Sequence, residues 1–437
     1  MAPPDPKEAA WGAVISMMLG VFALATAEFL PPSVLTPIAS DLAVSVGLAG
    51  QTVTATAVLA FAGSLLIPSA TQRIDRRNVL LGLTVLLIGS NLMVAFAPDF
   101  AWLLLGRAVL GVAIGGFWAM SMAIVMRLVP ESLVPRGLAI VMSGLGVATI
   151  VAAPVGSWLG TAIGWRAVFL LAAALSLLGL IVQLLTLPAM APRGQANLRT
   201  LVDVMKRPHM RSGLIAIALI FAGNYALFTY IRPFLQDGTG VAITGVTAIL
   251  LAFGVANFVG SHLGGVMLKR HAQLTMALMP SVMGVIGIAL ASLRTTPVTT
   301  LVLVAIWGLA FGTVPVAWTT WITCSVPDEA ETGGGLLVAA VQVAIAIGAG
   351  AGGILMSLGG VASVFMAGGA ALVAAGLFTA IAVKPLKRAQ QLDGLAREDT
   401  IAMLAGETGS ALDFTTSHGN PLVRPSVLDS AEVCDEY

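Results

Sequence analysis

A carboxylate stands inside a long apolar segment near the start of the chain. Glu28, in the sequence VFALATAEFL, lies within the run from Trp11 to Ile38. A charge at the centre of a membrane helix costs about 2.5 to 3.5 kcal/mol on insertion scales, so it normally faces a cavity or a partner. A carboxyl group in such surroundings can exchange a proton near neutral pH. The sequence therefore indicates a proton carrier; the alternative is a structural carboxylate that binds a neighbouring helix or is solvated near the interface.

Arg107 is a second charge inside an apolar segment, LLLGRAVLGVAIGGFWAM. Helical spacing places Arg107, Gly111 and Trp118 on one face. Because arginine keeps its proton in proteins, it would act as a fixed positive charge that tunes the proton affinity of a carboxylate. We expect Glu28 and Arg107 to form the proton-coupling pair. The alternative for Arg107 is a side chain that extends to the membrane interface.

Polar and aromatic side chains within the apolar segments predict a cavity for a flat, hydrogen-bonding solute. Flat rings stack on aromatic side chains, and amide groups bind their polar edges. Taken singly, each such residue is more readily explained by packing or by an aromatic belt at the membrane interface. The residues expected to contact substrate are Gln51, Trp118, Asn224, Tyr225, Phe228, Trp318 and Gln342.

The residues give no support to enzymatic chemistry. No lysine follows a glycine, so the phosphate-binding pattern Gly-x-x-x-x-Gly-Lys-Ser/Thr is absent and an ATP-driven pump with its own nucleotide domain is excluded. The four histidines lack metal-ligand spacing, and Cys324 and Cys434 suggest neither a disulfide framework nor a metal cluster. We expect no catalytic site, metal or cofactor, which leaves a pore, a transporter or a membrane sensor.

Membrane helices are the elements that must position these residues. Of the 437 residues, 58% are hydrophobic and 10% charged, and the mean hydropathy is +0.96, far from the values of soluble domains. An apolar helix of about 20 residues crosses a bilayer. The prolines at positions 31, 32 and 37 predict that the first helix bends. Twelve spans are predicted, at 11–38, 47–70, 78–97, 101–127, 135–161, 167–187, 212–236, 244–268, 273–293, 298–323, 333–357 and 361–383.

Basic residues are concentrated in alternate loops. One side of the membrane receives Arg73, Arg76, Arg77, Arg127, Arg136, Arg193, Arg199, Lys206, Arg207, Arg211, Lys269 and Arg270, with Lys384, Lys387 and Arg388 after the last span, and the other only Arg166, Arg232 and Arg294. Because cytoplasmic loops carry the excess of positive charge, both termini are predicted to be cytoplasmic. Arg76 and Arg77, in QRIDRRNVLL, set this topology and could also latch neighbouring helices. A net charge of +1 gives no indication of nucleic acid.

The spans divide six and six around the polar stretch PAMAPRGQANLRTLVDVMKRPHMR. The halves share motifs at one offset of about two hundred residues, since AFAGS at 60–64 corresponds to NFVGS at 257–261, and Gly111 and Gly115 correspond to Gly308 and Gly312. We interpret this as a duplicated six-helix unit. The predicted organisation is an N-terminal cytoplasmic segment (1–10), a bundle (11–187), a central cytoplasmic loop (188–211), a second bundle (212–383) and a cytoplasmic polar tail, largely disordered (384–437).

Two six-helix halves, a basic loop after the second span and Arg-x-x-x-Gly in the fourth together resemble the major facilitator superfamily. The segment APVGSWLGTAIGWRAVF is similar to the proline-glycine motif that its twelve-span drug:proton antiporter branch carries in helix five, with Pro154, Gly156 and Gly160 in the pattern. The resemblance covers residues 11–383. It implies an all-α membrane protein with twelve transmembrane helices in two pseudo-symmetric six-helix bundles.

The loop after the second span departs from the pattern of that family. With Arg76 and Arg77 aligned, Pro68, Gln72 and Asp75 stand where the family usually has glycine, aspartate and glycine. Only the arginines are kept, so a gating role for an aspartate at its usual place is not carried over.

Within that branch, AEFLPPSVLTPIASDL, FTYIRPFL and WTTWIT resemble bacterial exporters of purine ribonucleosides. The resemblance implies a proton-coupled antiporter of the bacterial inner membrane that exports nucleosides such as inosine and guanosine by alternating access, with protons and membrane lipid as further partners and no nucleic acid. Alternatives are a polyspecific exporter of drugs or sugars, a transport-inactive sensor that signals through its tail, and a passive channel.

Overall fold

The computed structural model describes residues 9–130, 133–191, 205–238, 241–293, 296–326 and 330–383, which are almost entirely helical and contain no β-strand. The N-terminal half consists of α1 (Trp11–Asp41), α2 (Val46–Ala49), α3 (Gln51–Ala70), α4 (Arg76–Ala95), α5 (Phe100–Leu128), α6 (Val134–Ala162) and α7 (Trp165–Thr186). The C-terminal half consists of α8 (Pro208–Thr229), α9 (Ile231–Pro233), a π-helical turn (Phe234–Gly238), α10 (Ile243–Ser292), α11 (Pro297–Ser325) and α12 (Ala330–Ala382).

Breaks in the two longest helices account for the twelve predicted spans. Eleven stretches in the described part of the chain are long and apolar enough to cross a membrane, and α10 already supplies two of them because its backbone leaves the helical region at His271. The last stretch, Gly333–Ala382, has 50 residues, enough for two crossings. It is broken at Gly360, whose φ of 70° suits glycine. Counting its two arms separately gives the predicted twelve.

The bend predicted for the first helix is confirmed. Pro31, Pro32 and Pro37 lie inside α1, and Val34 between them leaves helical geometry with φ −121° and ψ 16°. Proline lacks the backbone N–H that a helix needs and clashes with the preceding turn, so helices kink where it occurs. The bend follows shortly after Glu28 and redirects the part of α1 that leads to Asp41.

Close helix crossings repeat in the two halves. A Cβ atom added at Gly115 of α5 would lie 2.1 Å from the Ala60 carbonyl oxygen of α3, and one at Gly312 of α11 would lie 2.0 Å from that of Asn257 in α10. Small residues allow such backbone contact. Two further pairs of contacts are related by the same displacement along the chain. Gly111 contacts Thr56 as Gly308 contacts Phe253, and Gly63 contacts Val112 as Gly260 contacts Leu309. The duplicated unit inferred from the motifs is therefore also a repeat in packing.

The hydrophobic core is divided among the bundles. The N-terminal half buries one cluster that includes Met17 and Phe117 and another that includes Phe169. A larger cluster in the C-terminal half includes Trp307 and Phe365 and extends to residues of α1 and α3. The outer surfaces carry many exposed leucine, isoleucine and valine side chains, which is the pattern of helices that face lipid rather than water.

Arg232 is buried, so the loop position expected from the charge pattern is wrong. Only 1% of its surface is exposed. Its guanidinium donates to the backbone carbonyl of Ser33 and reaches Ser157 Oγ at 3.5 Å and Thr161 Oγ1 at 3.4 Å. The apolar neighbours in FTYIRPFL are core residues, and their burial carries the arginine inward from α9 onto α1 and α6.

Tyr230 and Gln51 add contacts between the halves at the same end of the molecule. The Tyr230 hydroxyl lies 3.3 Å from the Gly47 carbonyl of α2 and 3.0 Å from the Ala349 carbonyl of α12. Gln51 Nε2 lies 3.5 Å from the Gly350 carbonyl. These contacts and those of Arg232 lie far from the basic loops and close that end between the two bundles.

Three predicted regions fall wholly or partly outside the described residues. They are the first eight residues, positions 192–204 of the central loop and the tail from 384 to 437. The domain boundaries there, and the disorder expected for the tail, stay predictions.

Candidate functional site

A cavity of about 740 Å³ lies between the two halves. Helices α1, α5 and α6 form one wall, and α8, α10, α11 and α12 form the other. Five of the predicted site residues line it together: Glu28, Trp118, Tyr225, Trp318 and Gln342. The remaining lining is mostly apolar and aromatic, with Phe29, Phe221, Phe258 and Phe311 among it.

The cavity occupies the end of the molecule that carries the basic loops. Trp118 lies in the second half of α5, which ends beside Arg127, and Ser143 lies in the first half of α6. Thr320 is close to the end of α11, and Leu337 is close to the start of α12. The cavity therefore extends from the middle of the bundles toward the basic side, whereas contacts from Arg232 and Tyr230 close the other end.

Glu28 lies on the cavity wall beside a buried, hydrogen-bonded arginine. Its side chain is partly exposed to the cavity. Arg107, which is 1% exposed, donates from Nη1 to the Ala27 carbonyl at 2.8 Å and from Nε to the Thr52 carbonyl at 3.4 Å. The charges of Glu28 and Arg107 act on each other electrostatically, yet the two side chains form no direct ion pair in the described structure. The carboxylate thus keeps its oxygens available to the cavity while a fixed positive charge stands behind it.

Two polar atoms on the opposite wall have no hydrogen-bond partner within the described part of the chain. They are Trp318 Nε1 and Gln342 Oε1, and both side chains are almost fully buried. Buried polar groups in proteins are nearly always hydrogen-bonded. The lining of this cavity therefore contains an indole donor and an amide acceptor that the described structure leaves without a partner.

The structure does not bring Asn224, Phe228 and Gln51 into this cavity. Asn224 Oδ1 accepts a hydrogen bond of 2.9 Å from Trp307 Nε1, and with Phe228 it lines an adjoining space of about 20 Å³ that shares Phe29, Tyr225 and Asn257 with the large cavity. Gln51 lies at the closed end, on the Gly350 carbonyl. Their roles as substrate contacts stay predictions.

The arginines retained from the loop motif bind backbone and hydroxyl oxygens of other helices. Arg76 Nη1 donates to Thr71 Oγ1 at 3.0 Å, and Arg77 Nη2 donates to the Leu184 carbonyl at 2.8 Å. Asp75 caps α4 by accepting from the Arg77 backbone N–H at 2.8 Å, and it also accepts from Met190 N. The loop thus connects the start of α4 to α3 and α7, although a gating role for it stays a prediction.

Pro154 and Gly156 lie inside α6, where this helix meets α1. A Cβ atom at Gly156 would lie 2.5 Å from Ser33 Oγ and 2.7 Å from Leu30 Cδ2. The motif therefore allows a close crossing beside the bend of α1. Any part it plays in conformational change stays a prediction.

Several lining residues were not among the predicted contacts. Asn257 and Ser261 belong to NFVGS, which was recognised only as a repeat, and Thr149 sits in an apolar run without a motif. His262 also lines the cavity; its Nδ1 is 2.9 Å from the Phe258 carbonyl, and the two rings lie 4.5 Å apart between centroids. Its position one residue after NFVGS was the available signal, but a lone histidine carries no spacing that indicates a role.

Comparisons with known proteins agree with this architecture. The family model described as Major Facilitator Superfamily matches residues 17–349. The purine ribonucleoside efflux pump NepI of Salmonella enteritidis PT4 is 42% identical over 374 residues, which cover 86% of this chain and 94% of that protein. The same pump of Shigella sonnei is 41% identical over 377 residues, covering 86% and 95%. The transcription regulatory protein OpdE of Pseudomonas aeruginosa is 42% identical over 386 residues, covering 87% and 96%.

Two solved structures of similar fold carry the name of transporters. A bacterial homologue of the human lysosomal transporter Spinster, in an inward-facing and occupied conformation, matches with a TM-score of 0.67 and 17% identity, over 85% of this chain and 94% of its own. The human organic anion transporter MFSD10 matches with a TM-score of 0.61 and 16% identity, over 85% and 98%. At such identities the likeness concerns the fold alone.

Proposed function

Because this chain belongs to the Major Facilitator Superfamily, we propose that it is a proton-coupled antiporter that exports purine ribonucleosides such as inosine and guanosine. Family membership makes the protein a multi-pass membrane transporter and not an enzyme. We place it in a bacterial inner membrane with both termini in the cytoplasm, since the described basic loops lie on one side. The efflux pumps among its relatives support the substrate class.

One observation carries the proton-coupled part of the proposal. Glu28 lines the cavity between the halves, with the fixed charge of Arg107 behind it. Ionisable groups within the membrane are costly, and those that face a cavity mark ion and proton pathways. In the cycle we propose, a proton entering from outside neutralises Glu28, substrate leaves outward, and deprotonation toward the cytoplasm resets the carrier.

The predicted site residues that line the cavity come from both halves of the protein. Glu28 and Trp118 belong to the N-terminal half, and Tyr225, Trp318 and Gln342 to the C-terminal half. A nucleoside that stacks on aromatic rings and bonds to both walls would link their relative positions. The halves would then rock about the site and expose it to each side in turn. The described conformation, open toward the basic loops, would load substrate from the cytoplasm.

The experiment is uptake of radiolabelled inosine into inside-out vesicles, where uptake corresponds to export. Wild-type protein should accumulate inosine when the lumen is acidic and not without the gradient. Glu28→Gln should reduce the rate of gradient-driven inosine uptake at least about tenfold, because a positioned proton-transfer side chain contributes that factor or more to a rate. Chloramphenicol and arabinose serve as comparison solutes.

Asp99→Asn is a matched control for Glu28→Gln. Asp99 caps α5 away from the cavity by accepting from the Trp102 backbone N–H, and asparagine caps helices equally well. This carboxylate-to-amide change should therefore leave inosine transport unchanged. Full gradient-driven uptake by Glu28→Gln would show that another residue carries the proton. Uptake of chloramphenicol or arabinose without inosine would instead establish the polyspecific drug or sugar exporter.

A second candidate is favoured by the name of one relative. Because OpdE is named a transcription regulatory protein, a transport-inactive sensor deserves a test. Deletion of residues 390–437 separates the two: a sensor that signals through its tail loses its response, whereas an antiporter keeps gradient-driven flux. A passive channel would show inosine flux that does not depend on the pH gradient.

A further inference from the structure

Two of the unpartnered buried polar atoms in the described chain belong to residues that line the large cavity. Trp318 is 1% exposed and Gln342 is 4% exposed, yet neither the indole N–H nor the amide oxygen has a hydrogen-bond partner there. Both residues line the cavity, on α11 and α12. An unsatisfied buried donor or acceptor is destabilising, so a ligand that completes such a group at a cavity gains binding energy from it.

A second tryptophan on the same helix shows the contrast. Trp307 Nε1 donates to Asn224 Oδ1 at 2.9 Å and does not line the large cavity. The fold therefore supplies an acceptor for the buried indole of Trp307, whereas the indole of Trp318, a residue of the cavity lining, has none in the described structure. The other unpartnered buried atoms of the described residues belong to side chains outside the cavity lining: Thr36, Thr54, Arg77, Gln183 and Thr229.

We infer that Trp318 and Gln342 form a donor–acceptor pair that binds the lactam edge of a 6-oxopurine nucleoside. The lactam carries a ring N–H next to a carbonyl oxygen, so it gives a donor to Gln342 Oε1 and an acceptor to the Trp318 indole. This inference rests on the proposed function and narrows it to inosine-like and guanosine-like substrates. It also makes this pair the specificity-determining group of the C-terminal wall.

A 6-aminopurine nucleoside presents the opposite order. Adenosine has an acceptor at the ring nitrogen and a donor on the exocyclic amine, so the pair could bind it only with the base turned over. Turning the base moves the ribose to another part of the cavity and disrupts its contacts. A site built to bind a polar edge rejects analogues that leave its buried groups unpaired.

Recognition and proton coupling are on different walls. The pair belongs to α11 and α12, whereas Glu28 and Arg107 belong to α1 and α5. Loss of the pair should therefore weaken substrate binding without altering the pH dependence of transport. A weaker substrate affinity with an unchanged pH profile would distinguish loss of a direct substrate contact from general disruption of the carrier.

The test compares Trp318→Phe and Gln342→Met with wild type in vesicle transport of inosine, guanosine, adenosine and purine riboside. Purine riboside lacks both the carbonyl and the ring N–H. Each variant should raise KM for inosine and guanosine about tenfold, the effect of one hydrogen bond to a buried group. Gln342→Met should leave KM for purine riboside within about twofold, since that solute has no ring N–H to donate. The pH profile and maximal rate should not change.

A stability measurement keeps the result independent of activity. Gln342→Met replaces an unpartnered amide by an apolar side chain of similar length and should not lower the Tm of the substrate-free protein. Trp318→Phe also removes a ring from a fully buried side chain, so its Tm is compared with that of Trp321→Phe. Inosine should raise the Tm of wild type, and this rise should be lost in both variants. Trp321→Phe is the control, because Trp321 is buried on the same helix and does not line the cavity.

Unchanged KM for inosine in both variants would overturn the pair while leaving the proposed function intact. An equal loss for inosine and purine riboside in Gln342→Met would also overturn it, since packing rather than a lactam bond would be responsible. Wild-type protein that transports no nucleoside would refute the proposed function itself, and the lactam assignment with it.

Discussion

At the scale of single residues, one buried hydrogen bond fixes a tryptophan in the aromatic interior of the C-terminal half. Trp307 donates to Asn224, and its ring packs edge-on to Phe228, Phe253 and Phe365. Asn224→Leu would leave the buried indole N–H without an acceptor, at a cost of about 1 to 3 kcal/mol. We expect a lower Tm of the purified protein, measured by thermal unfolding in detergent.

The control for this bond is a double-mutant cycle with Trp307→Phe. In the Asn224→Leu background, removal of the indole N–H also removes the unpaired donor, so the second change should cost less than it does in wild type. Additive losses would show that the bond contributes nothing beyond packing. Inosine transport by the same variants tests whether Asn224 also contacts substrate.

The sequence predicted part of the site correctly and part of it not, for reasons visible at single residues. Glu28 and Gln342 stand out because polar groups are rare in apolar spans, and both line the cavity. Asn224 and Tyr225 are adjacent, so on a helix they point in different directions, and only Tyr225 lines the large cavity. Periodicity defines the faces of a helix but not which neighbour each face meets.

Backbone contact at glycine controls packing at the scale of helices. Gly115→Ala would bring a methyl group to 2.1 Å from the Ala60 carbonyl and 2.5 Å from Ser64 N, so α3 and α5 would have to separate. Overpacking of this kind costs about 1 to 3 kcal/mol. We expect reduced yield of folded protein and a lower Tm in thermal unfolding.

Gly82→Ala is the matched control, because nothing lies within 4 Å of a Cβ added there on α4. Alanine is favoured over glycine in a helix by about 1 kcal/mol, so this variant should be as stable as wild type or slightly more stable. Equal Tm values for the Gly115 and Gly82 variants would contradict the close crossing. The sequence predicts a close crossing here, since the same glycine spacing recurs in both halves. It does not predict which carbonyl each glycine contacts, because that depends on the register between the two helices.

At the scale of the whole molecule, the sequence predicts the two bundles and not the end at which they meet. Hydropathy and the shared offset indicate twelve spans and a duplicated unit, because burial in lipid and in helix contacts demands apolar spans in any conformation. The open end is different, since inward-open and outward-open states are built from the same spans. It depends on contacts between distant residues, such as that of Arg232 with Ser33, which no local pattern encodes.

Arg232 is the contact whose loss should shift this conformational balance. Arg232→Met removes the donor to the Ser33 carbonyl and the contact with Thr161 Oγ1, both across the closed end; the longer contact with Ser157 Oγ is already lost in a parent that carries Ser157→Cys. Loss of about 1 kcal/mol shifts a two-state equilibrium about fivefold. In a background with Cys324 and Cys434 replaced by serine, an impermeant maleimide added outside whole cells should therefore label Ser157→Cys about fivefold faster in Arg232→Met.

Arg166→Met is the control for this measurement. Arg166 is an arginine on the same side, but it pairs with Asp41 of its own half and does not cross between the bundles. Loss of that exposed ion pair should leave the labelling rate of Ser157→Cys unchanged, because it does not distinguish the two conformations. A contact biases a conformational equilibrium only by the difference in free energy that it makes between the two states. Equal labelling rates in the Arg232 variant and its parent would therefore show that closure of this end depends on the remaining contacts, those of Tyr230 and Gln51.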